Sequence, residues 1–128
     1  MKISRFEDLP VWQQARELYK IIFEITSRNL FFSDFKFRDQ IRGSSGSIMD
    51  NIAEGFERGG NKEFIQFLSI AKGSCGECRS QCYRAFDSGY IDQQTLDDLI
   101  SRTTSLSKNI SGFMAYLKQS EMKGTKYK

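Results

Sequence analysis

The sequence predicts an all-α fold, an antiparallel up-down-up-down four-helix bundle in a single domain. Three observations carry this reading. The 128 residues contain one proline and no sustained β-branched alternation of the kind that marks strands. Apolar residues recur at spacings of three and four in separate runs, the spacing of one helical face. Between the second and third runs stands Gly59-Gly60, a break so short that the flanking helices must be antiparallel neighbours. A chain of this length buries a core without metals or disulfide staples.

Asp8 and Pro10 supply a cap-type residue and a first-turn proline for the first helix. Val11, Ala15, Leu18, Ile22 and Ile25 form its face, and Trp12, Tyr19 and Phe23 form a second apolar stripe beside it. A helix with two such stripes is wide enough to touch both its own bundle and a neighbouring subunit. It is expected to end near Asn29, before Leu30-Phe31-Phe32, an aromatic connection that needs cover. Ser33 or Asp34 then caps a second helix running to about Arg58. Its stripe is Ile41, Ser45, Ile48, Ile52 and Gly55/Phe56. Gly43-Ser44-Ser45-Gly46-Ser47 lies inside it with poor helix propensity, and small residues there suit close approach of another backbone. A phosphate-cradling loop is the sharper reading of that run, but no Lys-Ser/Thr follows it and no strand precedes it.

Gly59-Gly60 stops the second helix and permits positive φ. Asn61 is read as the cap of a third helix, with Lys62 and Glu63 in its first turn. Phe64, Phe67/Leu68, Ala71, Cys75, Cys78, Cys82 and Ala85/Phe86 make its stripe, and Gly89 follows as a stop. Asp92 caps the fourth helix. There Leu96, Leu99, Thr103, Leu106, Ile110, Phe113 and Leu117 keep the three-four spacing throughout, which predicts near-parallel packing at a small crossing angle. The bundle is expected to occupy residues 1–118, with 119–128 a basic, disordered tail.

Charge is placed unevenly. From Lys118 onward there are four lysines against Glu121, which accounts for the whole net charge of +3 and leaves residues 1–117 neutral. A basic tail on a neutral body is a weak nucleic-acid signal, and a frayed solubilising terminus looks the same. The opening residues carry no apolar signal segment, and Ile21-Ile22-Phe23 is far too short to span a bilayer. A cytoplasmic protein with no membrane association is the expectation.

No reaction is legible. There is no histidine, which removes the commonest general base and metal ligand. Cys75, Cys78 and Cys82 are spaced C-x2-C-x3-C but lack a fourth ligand, and all three fall on core positions, where cysteine acts as a small hydrophobe. No catalytic residue, cofactor or metal is assigned. Two basic patterns invite a nucleic-acid reading: Arg38 and Arg42 at i, i+4, and the stripe Lys72, Gly76, Arg79, Tyr83, where cations flank an aromatic. A solvated face has the same composition. Beside the second helix's core runs the polar stripe Gln40, Ser44, Ser47, Asn51, Glu54 and Arg58. Asn51 and Glu54 suit either a solvated face or a polar contact between subunits.

Several segments resemble one family, the 23S ribosomal RNA intervening-sequence proteins. They are Phe6-Glu-Asp-Leu9 with Val11-Trp12-Gln13 and Ala15, then Arg38-Asp39-Gln40-Ile41-Arg42, Ser47-Ile48 and Asn51-Ile52-Ala53-Glu54-Gly55. Lys62-Glu63-Phe64, Phe67-Leu68, Ala71, Gly73-Ser74 and Glu77 complete the pattern. The likeness covers roughly residues 5–117, and departs at Gly43–Gly46, where the family more often shows arginine and alanine. The resemblance implies a four-helix bundle assembling as a ring, a homopentamer with a central channel. The chain is also similar to the accessory variability proteins of diversity-generating retroelements, which are pentameric and bind nucleic acid with a reverse transcriptase. The expectation is therefore a non-enzymatic homo-oligomer that binds RNA or DNA weakly. An oligomeric scaffold for a protein partner is the alternative.

Overall fold

The computed structural model describes residues 3–124. A 3-10 turn, Phe6–Asp8, leads into α1 (Pro10–Thr26). A short α2 (Asn29–Ser33) follows, then α3 (Phe35–Glu57), α4 (Asn61–Asp87) and α5 (Gln93–Gly124). The four long helices form an antiparallel bundle in which α3 packs between α1 and α4, and α5 completes the circuit against α4 and α1. Paired contacts fix the direction of packing. Along α3 and α4, Ser44 meets Gln81, Ser47 meets Ser74 and Gly55 meets Phe67, one number rising as the other falls. On the other side of α3, Arg42 meets Thr26 and Gly46 meets Tyr19.

The predicted stripes are the core. Val11, Ala15, Leu18, Ile22 and Ile25 are buried, as are Ile41, Ser45, Ile48, Ile52 and Gly55. Leu68, Ala71, Cys75, Cys78, Cys82 and Ala85 face them from α4, and Leu96, Leu99, Thr103, Leu106 and Ile110 from α5. Buried polar side chains are satisfied locally. Thr26, Ser45 and Thr103 donate to carbonyls three or four residues back, and Ser44 Oγ donates to Gln81 Oε1 at 2.5 Å.

The element ends differ from the expected ones in instructive ways. Asp8 does not cap α1. It closes the 3-10 turn beside Arg5, and Leu9 takes the cap position with its side chain sunk in the core and its carbonyl accepting from Gln13 N at 3.1 Å. Pro10 is the first helical residue. The helix stops at Thr26, short of Asn29, because Asn29 takes a left-handed φ of 40° and the chain turns into α2. The 30–32 connection is thus a turn of helix. It buries Phe31 against Tyr90 and Phe37, with centroids 4.8 and 5.3 Å away, but leaves Leu30 70% and Phe32 45% exposed.

Asp34 is the cap of α3, accepting from Phe37 N at 3.3 Å, and Asp92 accepts from Thr95 N at 2.8 Å at the start of α5. Asn61 is not a cap; Gly60 holds that position and Asn61 is the first residue of α4. Gly59 and Gly89 take φ of 86° and 78° at the ends of α3 and α4, the left-handed geometry that favours glycine. Helix α5 continues past Lys118 to Gly124, so residues 119–124 extend the helix rather than begin a tail. The remainder of the expected tail, 125–128, lies outside the described residues.

The small-residue run in α3 also differs from its reading. Ser44 and Ser45 face the core, while Gly43 faces open space and a Cβ on Gly46 would make only an ordinary 3.5 Å contact with Tyr19. The close helix approach lies two turns later. A Cβ on Gly55 would sit 2.5 Å from Phe67 Cβ.

Candidate nucleic-acid interface

Arg38 and Arg42 stand one turn apart on the side of α3 that meets α1 and α2. The sequence leaves aromatic residues around them, and the structure stacks the guanidinium groups on the rings. Arg42 lies 4.2 Å over Phe23, with Nε donating to Thr26 Oγ1 at 2.8 Å and Nη2 to Ser27 Oγ at 3.1 Å. Arg38 lies 4.7 Å over Phe32 and 4.9 Å over Phe35, and pairs with Asp39 at 2.9 Å. Such stacking on a planar group suits arginine better than lysine. The two arginines differ in one respect that matters for binding. Arg38 has a carboxylate partner, whereas Arg42 is held by neutral hydroxyls and forms no ion pair with any described carboxylate.

Below Arg42 an open groove of about 880 Å³ runs between α1 and α3. Arg16, Lys20 and Arg42 supply its cations, Tyr19 a ring, Gly43 and Gly46 bare backbone beside Ser47 and Met49, and Asp50 a carboxylate. Arg16 sits 5.6 Å over Trp12, and Lys20 is 3.7 Å from Glu17 with both side chains more than half exposed, so solvent screens that pair. Spacing signalled this site without identifying it: Arg16/Lys20 and Tyr19/Phe23 are both i, i+4 pairs, and only the packing of α1 on α3 brings them to Arg42. The second stripe of α1 is partly consumed in this way. Trp12 is covered edge-on by Phe6 and Tyr19 by Gly46, while Phe23 remains 46% exposed.

The other sequence-predicted residues lie elsewhere. Lys72, Arg79 and Tyr83 are all exposed on α4, on the side facing α5, where Arg79 Nη1 donates to Thr104 Oγ1 at 3.5 Å. Two edges of the bundle therefore carry the five proposed nucleic-acid residues, and no single surface gathers them. Asn51 and Glu54 do not join in a network. Asn51 Nδ2 donates to the Ser47 carbonyl and hydroxyl at 2.8 and 2.9 Å, and Glu54 pairs with Arg58 at 3.0 Å in the open.

The cysteines belong to the core. Burial pushes the Cys75 thiol up to about 12, and a hydrogen bond with the free thiol of Cys82 together with burial pushes Cys78 up as well. Thiols kept protonated in this way are weak nucleophiles and weak metal ligands. Cys75 Sγ instead donates to the Thr103 carbonyl at 3.3 Å, tying α4 to α5. Among the described residues no group of three or more Cys, Asp or Glu side chains is placed to hold a metal ion. No helix among them is long and apolar enough to cross a membrane.

The geometry defines an all-α bundle whose distinctive chemistry is an edge of arginine stacked on aromatic rings. Within that class the chain belongs to the 23S rRNA-intervening sequence protein family, whose profile matches residues 7–112. The fold is also that of a Bacteroides thetaiotaomicron protein of unknown function from the S23 ribosomal protein family. The two superpose with a TM-score of 0.74 at 20% identity, over 81% of this chain and 97% of that one. Comparison with curated proteins gives no match.

Proposed function

We propose that this chain is a non-enzymatic, homo-oligomeric bundle protein that binds RNA or DNA weakly through basic surface. One observation carries the nucleic-acid part: cations outside the core lie beside exposed or half-exposed rings. Arg42 sits on Phe23 next to the Arg16–Tyr19–Lys20 groove, and on α4 the exposed Arg79 stands one turn from the exposed Tyr83, in the stripe that begins at Lys72. Such surfaces grip a phosphate backbone and stack bases. The ring of five copies, and a reverse transcriptase as protein partner, rest on the resemblance of the sequence to the intervening-sequence and accessory variability proteins. Asn51 and Glu54 are proposed at the subunit contact, where Glu54 is the exposed member. The non-enzymatic reading rests on a chain without histidine and on thiols buried in the core. Reduced thiols suit a cytoplasmic setting away from membranes.

A second reading, an oligomeric scaffold for a protein partner, is favoured by the exposed Leu30, Phe32 and Phe35 at one end of the bundle. Fluorescence anisotropy with labelled single-stranded RNA and duplex DNA across a salt series separates the two. Binding that weakens steeply with salt supports the first reading, and absence of binding at low salt leaves the scaffold. Light scattering that returns a monomer mass removes the homo-oligomer from both.

A further inference from the structure

We propose that the α1–α3 groove is a track for single-stranded nucleic acid. Phosphates lie along Arg16, Lys20 and Arg42, and bases stack on the exposed rings at its head, Phe23, Phe32 and Phe35. This rests on the nucleic-acid reading above and narrows it to one edge of the bundle and one strand state.

Charge is the first argument. Three cations line the groove against one carboxylate, Asp50, and neither Arg16 nor Arg42 is neutralised by an ion pair with a described residue. Arg42 is also set in place before any ligand arrives. Two hydroxyls and a ring face hold its guanidinium, so little side-chain entropy remains to be lost on binding a phosphate. The bare backbone is the second argument. Gly43 is solvent-exposed in mid-helix, where glycine weakens a helix relative to alanine, and a Cβ there would meet nothing within 4 Å. Packing within the chain therefore does not require glycine at that position, and its effect is bare helix backbone beside Arg42, where a phosphate chain can approach α3.

The rings decide the strand state. Phe35 is 61% exposed and Phe23 and Phe32 nearly half, with Arg42 and Arg38 stacked beside them. Bases inside a duplex are already stacked on one another and cannot reach these rings, whereas unpaired bases of any sequence can stack on them. The α4 stripe Lys72, Gly76, Arg79, Tyr83 offers one ring, against the three exposed rings at the head of the groove.

The test is anisotropy of a labelled single-stranded oligonucleotide and its duplex against wild type, Arg16→Gln/Lys20→Gln, Phe35→Ala, and Lys72→Gln/Arg79→Gln. All the substituted side chains are exposed, and circular dichroism checks that each variant folds. Each cation withdrawn from a single-strand phosphate lowers the slope of log K against log salt by about 0.7, which weakens binding about five-fold at 0.1 M salt. The groove double variant is expected to bind the single strand about 25-fold more weakly at that salt. Phe35→Ala is expected to weaken single-strand binding with the slope unchanged, and the α4 double variant to lose less affinity than the groove double variant. Tighter binding of duplex by wild type, or weaker binding by the α4 variant with the groove variant intact, would overturn the track while leaving nucleic-acid binding in place. Wild type that binds neither strand form at low salt would overturn nucleic-acid binding itself.

Discussion

A Cβ built on Gly55 would lie 2.5 Å from Phe67 Cβ and 2.9 Å from Phe64 Cδ1, so this position sets how closely α3 and α4 approach. Neither neighbour can swing away, since the first is anchored at its own backbone and the second packs edge-on between Phe56 and Phe113. Gly55→Ala is expected to destabilise the fold by about 1–3 kcal/mol, the range for overpacking, despite alanine's better helix propensity. Urea unfolding reads the change, and a stabilised variant would show that the helices separate freely there. At Gly43, where a Cβ meets nothing, alanine is expected to stabilise by about 0.5–1 kcal/mol. Cys75 gives a pH signature. Its thiol keeps its proton to about 12 in the fold, against an ordinary value of 9.0. Between those values the unfolded chain has lost a proton that the folded chain still holds, so folding takes up a proton and stability falls as pH rises. Below pH 9 the effect vanishes. The urea midpoint of wild type should therefore fall more steeply above pH 9 than that of Cys75→Ala; parallel curves would remove the buried-thiol account.

Helix identity was legible in the sequence because burial repeats with the helical period, and that repeat is local. The stripes of α1, α3, α4 and α5 could be read from spacing, and the Asp92 cap and the glycine stops from residue type, whereas the choice of Asp34 over Ser33 as the cap of α3 needed the structure. What spacing does not contain is register between helices. The closeness of Gly55 to Phe67, the outward aim of Gly43, and the meeting of Arg42 with Phe23 and Thr26 all depend on how far one helix slides along another. The same limit explains Asp8 and Asn61, which have the right chemistry for caps one position away from where the chain turns. Asp34 shows what a cap gains when the register does bring a partner. Its Oδ1 accepts from Phe37 N and its Oδ2 from the Tyr90 hydroxyl at 2.8 Å, joining the start of α3 to the turn before α5. Asp34→Ala is expected to cost about 0.5–2 kcal/mol for the cap. Tyr90→Phe separates the two roles, since it removes the tether and leaves the cap. Equal thermal midpoints for wild type and Asp34→Ala would contradict the cap. Asp92 offers a third check by titration. Hydrogen bonds from Thr95 lower its pKa, so its contribution is present at neutral pH and is lost as pH falls through the acid range.

Across the whole molecule the bundle is closed unevenly. Helices α3 and α4, and α4 and α5, pack along their lengths, whereas α1 rests mainly on α3 and meets α5 sparsely, with Gln14 and Asn109 bonded at 3.0 Å across that seam. The element with the least packing on one side opens most readily. Native-state hydrogen exchange should therefore show lower protection in α1 than in α3 or α4. Uniform protection would mean that the seam opens only with the whole fold. The unevenness also couples stability to binding. Half of the proposed groove, Arg16 and Lys20, stands on α1, and the other half, Arg42, on α3. A strand bound across both helices holds only the closed form, so ligand at a hundred times its dissociation constant should add about 2.7 kcal/mol to the protection of α1. Openings of α4 alone, which leave the groove intact, should not be slowed. A strand bound instead along Lys72 and Arg79 predicts the reverse, with added protection in α4 and none in α1. The distribution of protection along the chain thus distinguishes the two edges without any substitution.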